Sequence, residues 1–154
     1  MILTGILSAQ AVRHSLCAGS KKRLFQSLAE MAQSAYGIDE AAAAEALQER
    51  ESLGPTGVGR GVALPHARIS GLTHMAGCFA RLEKPIAFGA PDRQPVDLVF
   101  ALFAPAEAGV GHLKALASVS RMMRDRALCA KLRANDDPAV LHALLTETAR
   151  PVAA

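Results

Sequence analysis

With 154 residues, the chain has the length of one ordinary domain and should bury roughly two thirds of the surface it exposes when unfolded. It is 51% hydrophobic with no Trp and one Tyr, so the core must come from Leu, Val, Ile, Ala, Met and a few Phe, and the formal net charge of +3 is spread along the sequence. No basic stripe interleaved with aromatics marks a nucleic-acid binder, no apolar run reaches the ~18 to 20 residues of a membrane helix, and the start has no basic n-region, which predicts a cytoplasmic protein without a membrane span.

The first expected element is a short edge strand over residues 12–17. Ser20 is a good helix N-cap, and Leu24, Phe25, Leu28, Met31, Ala32 and Ala35 recur at helical spacing, predicting an amphipathic helix over 21–36 that closes at Gly37. Asp39 caps a second, alanine-rich helix that fades at Ser52-Leu53-Gly54-Pro55, which puts Arg50 in its last turn. Strands are expected over 61–64, 75–82 and 96–104, with turns at Glu83-Lys84-Pro85 and Gly89-Ala90-Pro91-Asp92. Helices follow over 111–123 and 127–132, and Asp136-Asp137-Pro138 starts a last one through 145. This order predicts an α/β chain forming a single domain over 1–154, a mixed β-sheet flanked by helices.

The most informative stretch is Gly57-Val58-Gly59-Arg60-Gly61-Val62-Ala63-Leu64-Pro65-His66. Gly57, Gly59 and Gly61 let the backbone take positive φ and present amide N–H groups to an anion, with Thr56 beside them. Pro65 restricts Leu64 to extended geometry and aims His66 outward from the end of the strand. By local physics the same residues also describe a tight turn before a strand whose last residue happens to be histidine. His112 follows Gly109-Val110-Gly111 at a helix start, where the dipole favours an anion. His14, His74 and His142 have no metal-ligand spacing and read as structural or solvated, while Cys17, Cys78 and Cys129 form no C-x-x-C pair and read as small buried hydrophobes or free thiols. Neither a metal nor a cofactor is expected.

The run from Arg50-Glu51 through Thr56 to Leu64-Pro65-His66-Ala67-Arg68 resembles the active-site signature of the enzyme IIA domains of the bacterial phosphoenolpyruvate-dependent phosphotransferase system, of the mannitol/fructose type. Asp97-Leu98-Val99-Phe100-Ala101-Leu102-Phe103-Ala104-Pro105, followed by His112-Leu113 and a helix, fits the same pattern, so the resemblance spans the chain. A chain that is one such domain is most similar to the nitrogen-regulatory branch. The resemblance implies the enzyme IIA fold, His66 as phosphoryl acceptor, Arg50 as the active-site arginine and His112 as the second active-site histidine. Arg60 departs from what family members often carry there.

That chemistry suits the residue types. A neutral imidazole is nucleophilic near pH 7 and takes a phosphoryl group without metal or cofactor, provided an acceptor on its other nitrogen sets the tautomer. A guanidinium binds two phosphoryl oxygens at once and keeps its charge. The resemblance implies an HPr-like phosphohistidine protein as donor, and either regulatory targets or an enzyme IIB cysteine as the next partner. The absence of a fused IIB or membrane domain favours regulation. A module that only holds an anion on the glycine loop is the reading from a different class. The group Arg121, Arg124, Arg126, Lys131 and Arg133 is read as a solvated helix face or a dock for an acidic partner.

Overall fold

Residues 3–148 are described by a computed structural model. After a 3-10 turn at Leu3–Gly5 come β1 (Leu7–Leu16), α1 (Lys21–Tyr36) and α2 (Glu40–Ser52). The strands β2 (Gly57–Gly59), β3 (Val62–Ala63), β4 (His66–Ile69), β5 (Ala76–Ile86) and β6 (Val96–Pro105) follow, then α3 (Val110–Met122), α4 (Arg126–Ala134) and α5 (Pro138–Thr148). The chain is mixed α/β: a six-stranded sheet in the order β1-β5-β6-β3-β2, with β4 as a further neighbour of β6. β5 runs antiparallel to β6 on one side, while β3 and β4 lie parallel to it in succession on the other.

Alternation along β6 explains the layering. Successive side chains of a strand point to opposite faces. Val99, Ala101 and Phe103 enter one core with Leu24, Phe25 and Leu28 of α1 and Ala43 and Leu47 of α2. Leu98, Phe100 and Leu102 enter a second core with Ala115 and Val119 of α3 and Leu128 and Leu132 of α4. Both faces of the central strand are dry, which is why it reads as a nearly continuous apolar run.

The helix signals translate directly into geometry. The Ser20 hydroxyl accepts from the Arg23 N–H, Asp39 accepts from the Ala42 N–H, and Gly37 at φ 72° closes α1 in the left-handed conformation. Pro138 opens α5, where its missing N–H costs nothing.

The strands differ more from expectation. β1 begins at Leu7 rather than at residue 12, and it is an edge strand covered by α5. β5 runs through the expected turn at Glu83-Lys84-Pro85 to Ile86, and its register to β6 shifts between Arg81 and Ile86. Proline is tolerated there because β1 leaves β5 at Leu82, so no partner on that side needs its N–H. The strand expected over 61–64 is only Val62–Ala63, and His66 opens β4 instead of ending a strand. Pro65, which has no N–H to give a ladder, makes the break, and its carbonyl accepts from the Leu102 N–H at 2.9 Å.

Candidate active site

Three elements deliver three side chains to one cavity of about 550 Å³. α2 supplies Arg50 from its last turn, β4 supplies His66, and α3 supplies His112 from its first turn. On β4, Ala67 and Ile69 enter the core beneath α1 and α2, so His66 and Arg68, on the other parity of the strand, face the opposite way. Arg68 also lines the cavity, tethered by its Nη1 to the Ala106 carbonyl at 3.1 Å.

The hydrogen bonds at His66 define its tautomer. Nδ1 lies 3.0 Å from the Leu64 carbonyl, which can only accept, so Nδ1 carries the hydrogen. Nε2 is then the bare nitrogen, and it accepts from Arg50 Nε at 3.2 Å. The same guanidinium donates from Nη1 to the Gly54 carbonyl at 3.0 Å, which fixes the plane of its fork. Burial pushes the His66 pKa below its ordinary value of 6.5; the Leu64 carbonyl opposes that shift and the Arg50 charge adds to it.

His112 is 6% exposed, and its ring centroid lies 5.8 Å from that of His66. Its Nδ1 is buried without a hydrogen-bond partner among the described residues. Burial, reinforced by His66 and Arg68, lowers its pKa as well. Gly109, the N-cap of α3, offers no side chain, so no side-chain acceptor caps the first-turn N–H groups of that helix, of which that of His112 donates to the Gly109 carbonyl at 3.2 Å. Among the described residues, no group of three or more His, Cys, Asp or Glu side chains is placed to hold a metal ion.

The structure separates the glycine loop from this cavity. Neither Thr56 nor Gly57, Gly59 or Gly61 lines it. The Thr56 N–H and hydroxyl both donate to the buried Glu51 carboxylate, at 2.7 and 2.9 Å to one oxygen. β2 and β3 form a hairpin whose two turn residues, Arg60 and Gly61, have φ of 57° and 78°, the pattern of a type I′ turn. A Cβ on Gly61 would lie 2.6 Å from Arg133 Nη2 and 2.9 Å from Asp97 Oδ1. Gly61 therefore serves the tight turn, while Gly57 packs against Ala90 and Phe88 and Gly59 against Asp92, so that these glycines and Thr56 stand beside the cavity and not in its lining. Read from the sequence alone, Arg68 and Leu64 have no role in the site; strand parity from His66 would have placed the first.

The family described as phosphoenolpyruvate-dependent sugar phosphotransferase system, EIIA 2, matches residues 5–148. The chain belongs to that enzyme IIA family. It is 45% identical over 145 residues to a nitrogen regulatory protein of Bradyrhizobium diazoefficiens, an alignment covering 94% of this chain and 95% of the relative. The crystal structure of nitrogen regulatory protein IIA-Ntr from Neisseria meningitidis superposes with a TM-score of 0.86 at 34% identity, covering 92% of this chain and 97% of that one. The mannitol IIA of Escherichia coli shares the enzyme IIA fold, with a TM-score of 0.74 at 17% identity over 93% of this chain and 98% of that one. The fold expected from the resemblance is the fold found, and no described helix is long and apolar enough to cross a membrane.

Proposed function

We propose that the protein is a phosphocarrier and regulator in which His66 Nε2 accepts a phosphoryl group from the phosphohistidine of an HPr-like protein, and that the two forms of the chain engage target proteins differently. The observation that carries this reading is the pair of contacts at His66: Leu64 holds the hydrogen on Nδ1 and Arg50 Nε–H meets the lone pair of Nε2. As the bond from Nε2 to phosphorus forms, the donor's N–P bond breaks and its electron pair returns to the donor nitrogen. Positive charge that develops on the His66 ring is shared with the Leu64 carbonyl through Nδ1–H. The Arg50 guanidinium, with Arg68 across the cavity, neutralises charge on the transferring oxygens, as phosphoryl transfer requires. The uncapped start of α3 adds N–H groups and the positive end of a helix dipole.

A protein partner rather than a small substrate fits the rim. Leu53 lines the cavity and is 84% exposed, and Val110 and Leu113, on either side of His112 in α3, are 66% and 62% exposed. The modification adds about −2 charge beside that apolar rim, a change large enough to switch partners. Regulation is favoured over transfer to an enzyme IIB by the nitrogen regulatory relatives at 45% and 34% identity.

The test is incubation with phosphoenolpyruvate, enzyme I and an HPr-type carrier, read as intact mass. Wild type gains one acid-labile phosphoryl group and His66→Ala gains none. An unmodified wild type across several cognate carriers, or an unchanged gain in the variant, overturns the proposal.

A further inference from the structure

A second cavity, of about 310 Å³, lies where the β2–β3 hairpin tip meets the α3–α4 corner, lined by Arg60, Met123, Arg124, Arg126, Cys129 and Arg133. It sits at the opposite end of α3 from His112, roughly 16 Å along the helix axis. Of its four arginines, only Arg133 has a carboxylate partner among the described residues, Asp97, which it meets at 2.9 Å. The guanidinium groups of Arg60, Arg124 and Arg126 make no ion pair among the described residues.

Local preference does not account for this gathering of charge. Arg124, just past the C-terminus of α3, suits the helix dipole. Arg126 does not, because it is the first residue of α4, where the dipole disfavours a cation. Arg60 occupies the first central position of a type I′ turn at φ 57°, a conformation that Gly, Asn and Asp take at lower cost. Two arginines placed against local preference converge on one concavity, and departures of that kind collect at functional sites. The backbone of Arg60 is also held on both sides: its N–H donates to Asp92 Oδ2 at 2.7 Å and its carbonyl accepts from Arg133 Nη2 at 2.9 Å. Its guanidinium is thus presented by a clamped turn, near enough to Asp92 to help hold that carboxyl below its ordinary value but in no ion pair among the described residues.

We propose that this cavity binds a compact anion bearing a diphosphate group, independently of the chemistry at His66. Three guanidinium groups without an ion pair among the described residues match two adjacent phosphates with bidentate contacts, and Met123 and Cys129, both buried, give an apolar floor for the organic part of such a molecule. The volume lies at the small end of ligand sites, which fits a nucleotide-sized metabolite or smaller and not a folded partner.

The experiment is a titration of the full chain, followed by amide NMR in phosphate-free buffer, with inorganic pyrophosphate, with ADP and with a short polyglutamate peptide. Saturable shifts confined to Arg60, Gly61 and residues 124–129 with pyrophosphate or ADP are expected. ADP binding tighter than pyrophosphate assigns a role to the apolar floor, and equal binding assigns the site to the diphosphate alone. Arg60→Gly, which keeps the carbonyl that Arg133 uses and relieves the positive φ, and Arg126→Gln should each weaken binding about tenfold, while the phosphoryl gain at His66 stays as in wild type. No saturable shift with either diphosphate, equal affinity in both variants, or a preference for polyglutamate overturns the proposal.

Discussion

The two hydrogen bonds at His66 have opposite electrostatic consequences. The Leu64 carbonyl favours a protonated ring and the Arg50 guanidinium opposes it; burial acts with Arg50 and outweighs Leu64, and the ring stays neutral to lower pH than a free histidine. His112 is shifted the same way by burial. In the unfolded chain these rings take up protons near the ordinary value of 6.5, whereas the folded chain resists until lower pH. The stability due to their neutral forms is therefore present above about pH 6.5 and is lost as pH falls through the window below it. Urea unfolding between pH 7.5 and 5 should show that decline, and a His66→Gln, His112→Gln double variant should flatten it; an equal slope in both would contradict the assignment. His112 carries a second prediction. Its buried Nδ1 goes unpaired, which costs about 1–3 kcal/mol, so His112→Leu should raise stability by about 1 kcal/mol in denaturant melts while slowing phosphoryl gain at His66.

At the scale of elements, the hairpin and the end of α2 are coupled through Glu51, whose buried carboxylate ties down Thr56 and lies 3.8 Å from Lys21. One residue earlier, Arg50 reaches the cavity. The hairpin tip has its own anchor in the Arg133–Asp97 pair. Gly61→Ala would push a Cβ into that pair at φ 78°, and should cost about 1–3 kcal/mol in stability without altering the rate of phosphoryl gain at His66. A large loss of rate with stability unchanged would instead support the loop as a phosphoryl cradle. The sequence by itself does not separate the two roles. Three alternating glycines look alike whether they hold an anion or turn a corner, and what separates the two is Asp92, Asp97 and Arg133, residues distant in the chain. α1, by contrast, was legible to the residue, because Ser20, Gly37 and the apolar spacing are all local signals. β4 was not, since four residues beginning after a proline carry too little periodicity to declare a strand. The cavity was legible in its three principal side chains through the resemblance, but not in Arg68, whose role depends on strand parity.

Across the whole molecule, the sheet divides two cores, and the candidate site draws on both. Arg50 belongs to a helix anchored by Ala43 and Leu47 in one core, and His112 to a helix anchored by Ala115 and Val119 in the other. Leu47 is 1% exposed and one turn from Arg50; Leu132 is fully buried in α4, which supplies no residue to that cavity. Leu47→Ala and Leu132→Ala should each cost about 2–5 kcal/mol in chemical unfolding. Compared at a temperature where both remain folded, only Leu47→Ala should slow phosphoryl gain, because only it loosens the helix that carries the cation. Equal slowing in both would mean that the site senses global stability and not this helix.

The gap between Arg50 and His112, with His66 in between on the strand, is set by how thickly the two layers are stacked on the sheet. The fold works as a calliper: one jaw is mounted on each side of a central blade, and the opening is fixed by the packing of apolar side chains between each jaw and the blade. The side chains that set the opening, Ala43 and Leu47 on one face and Ala115 and Val119 on the other, are none of them in the lining of the cavity they size.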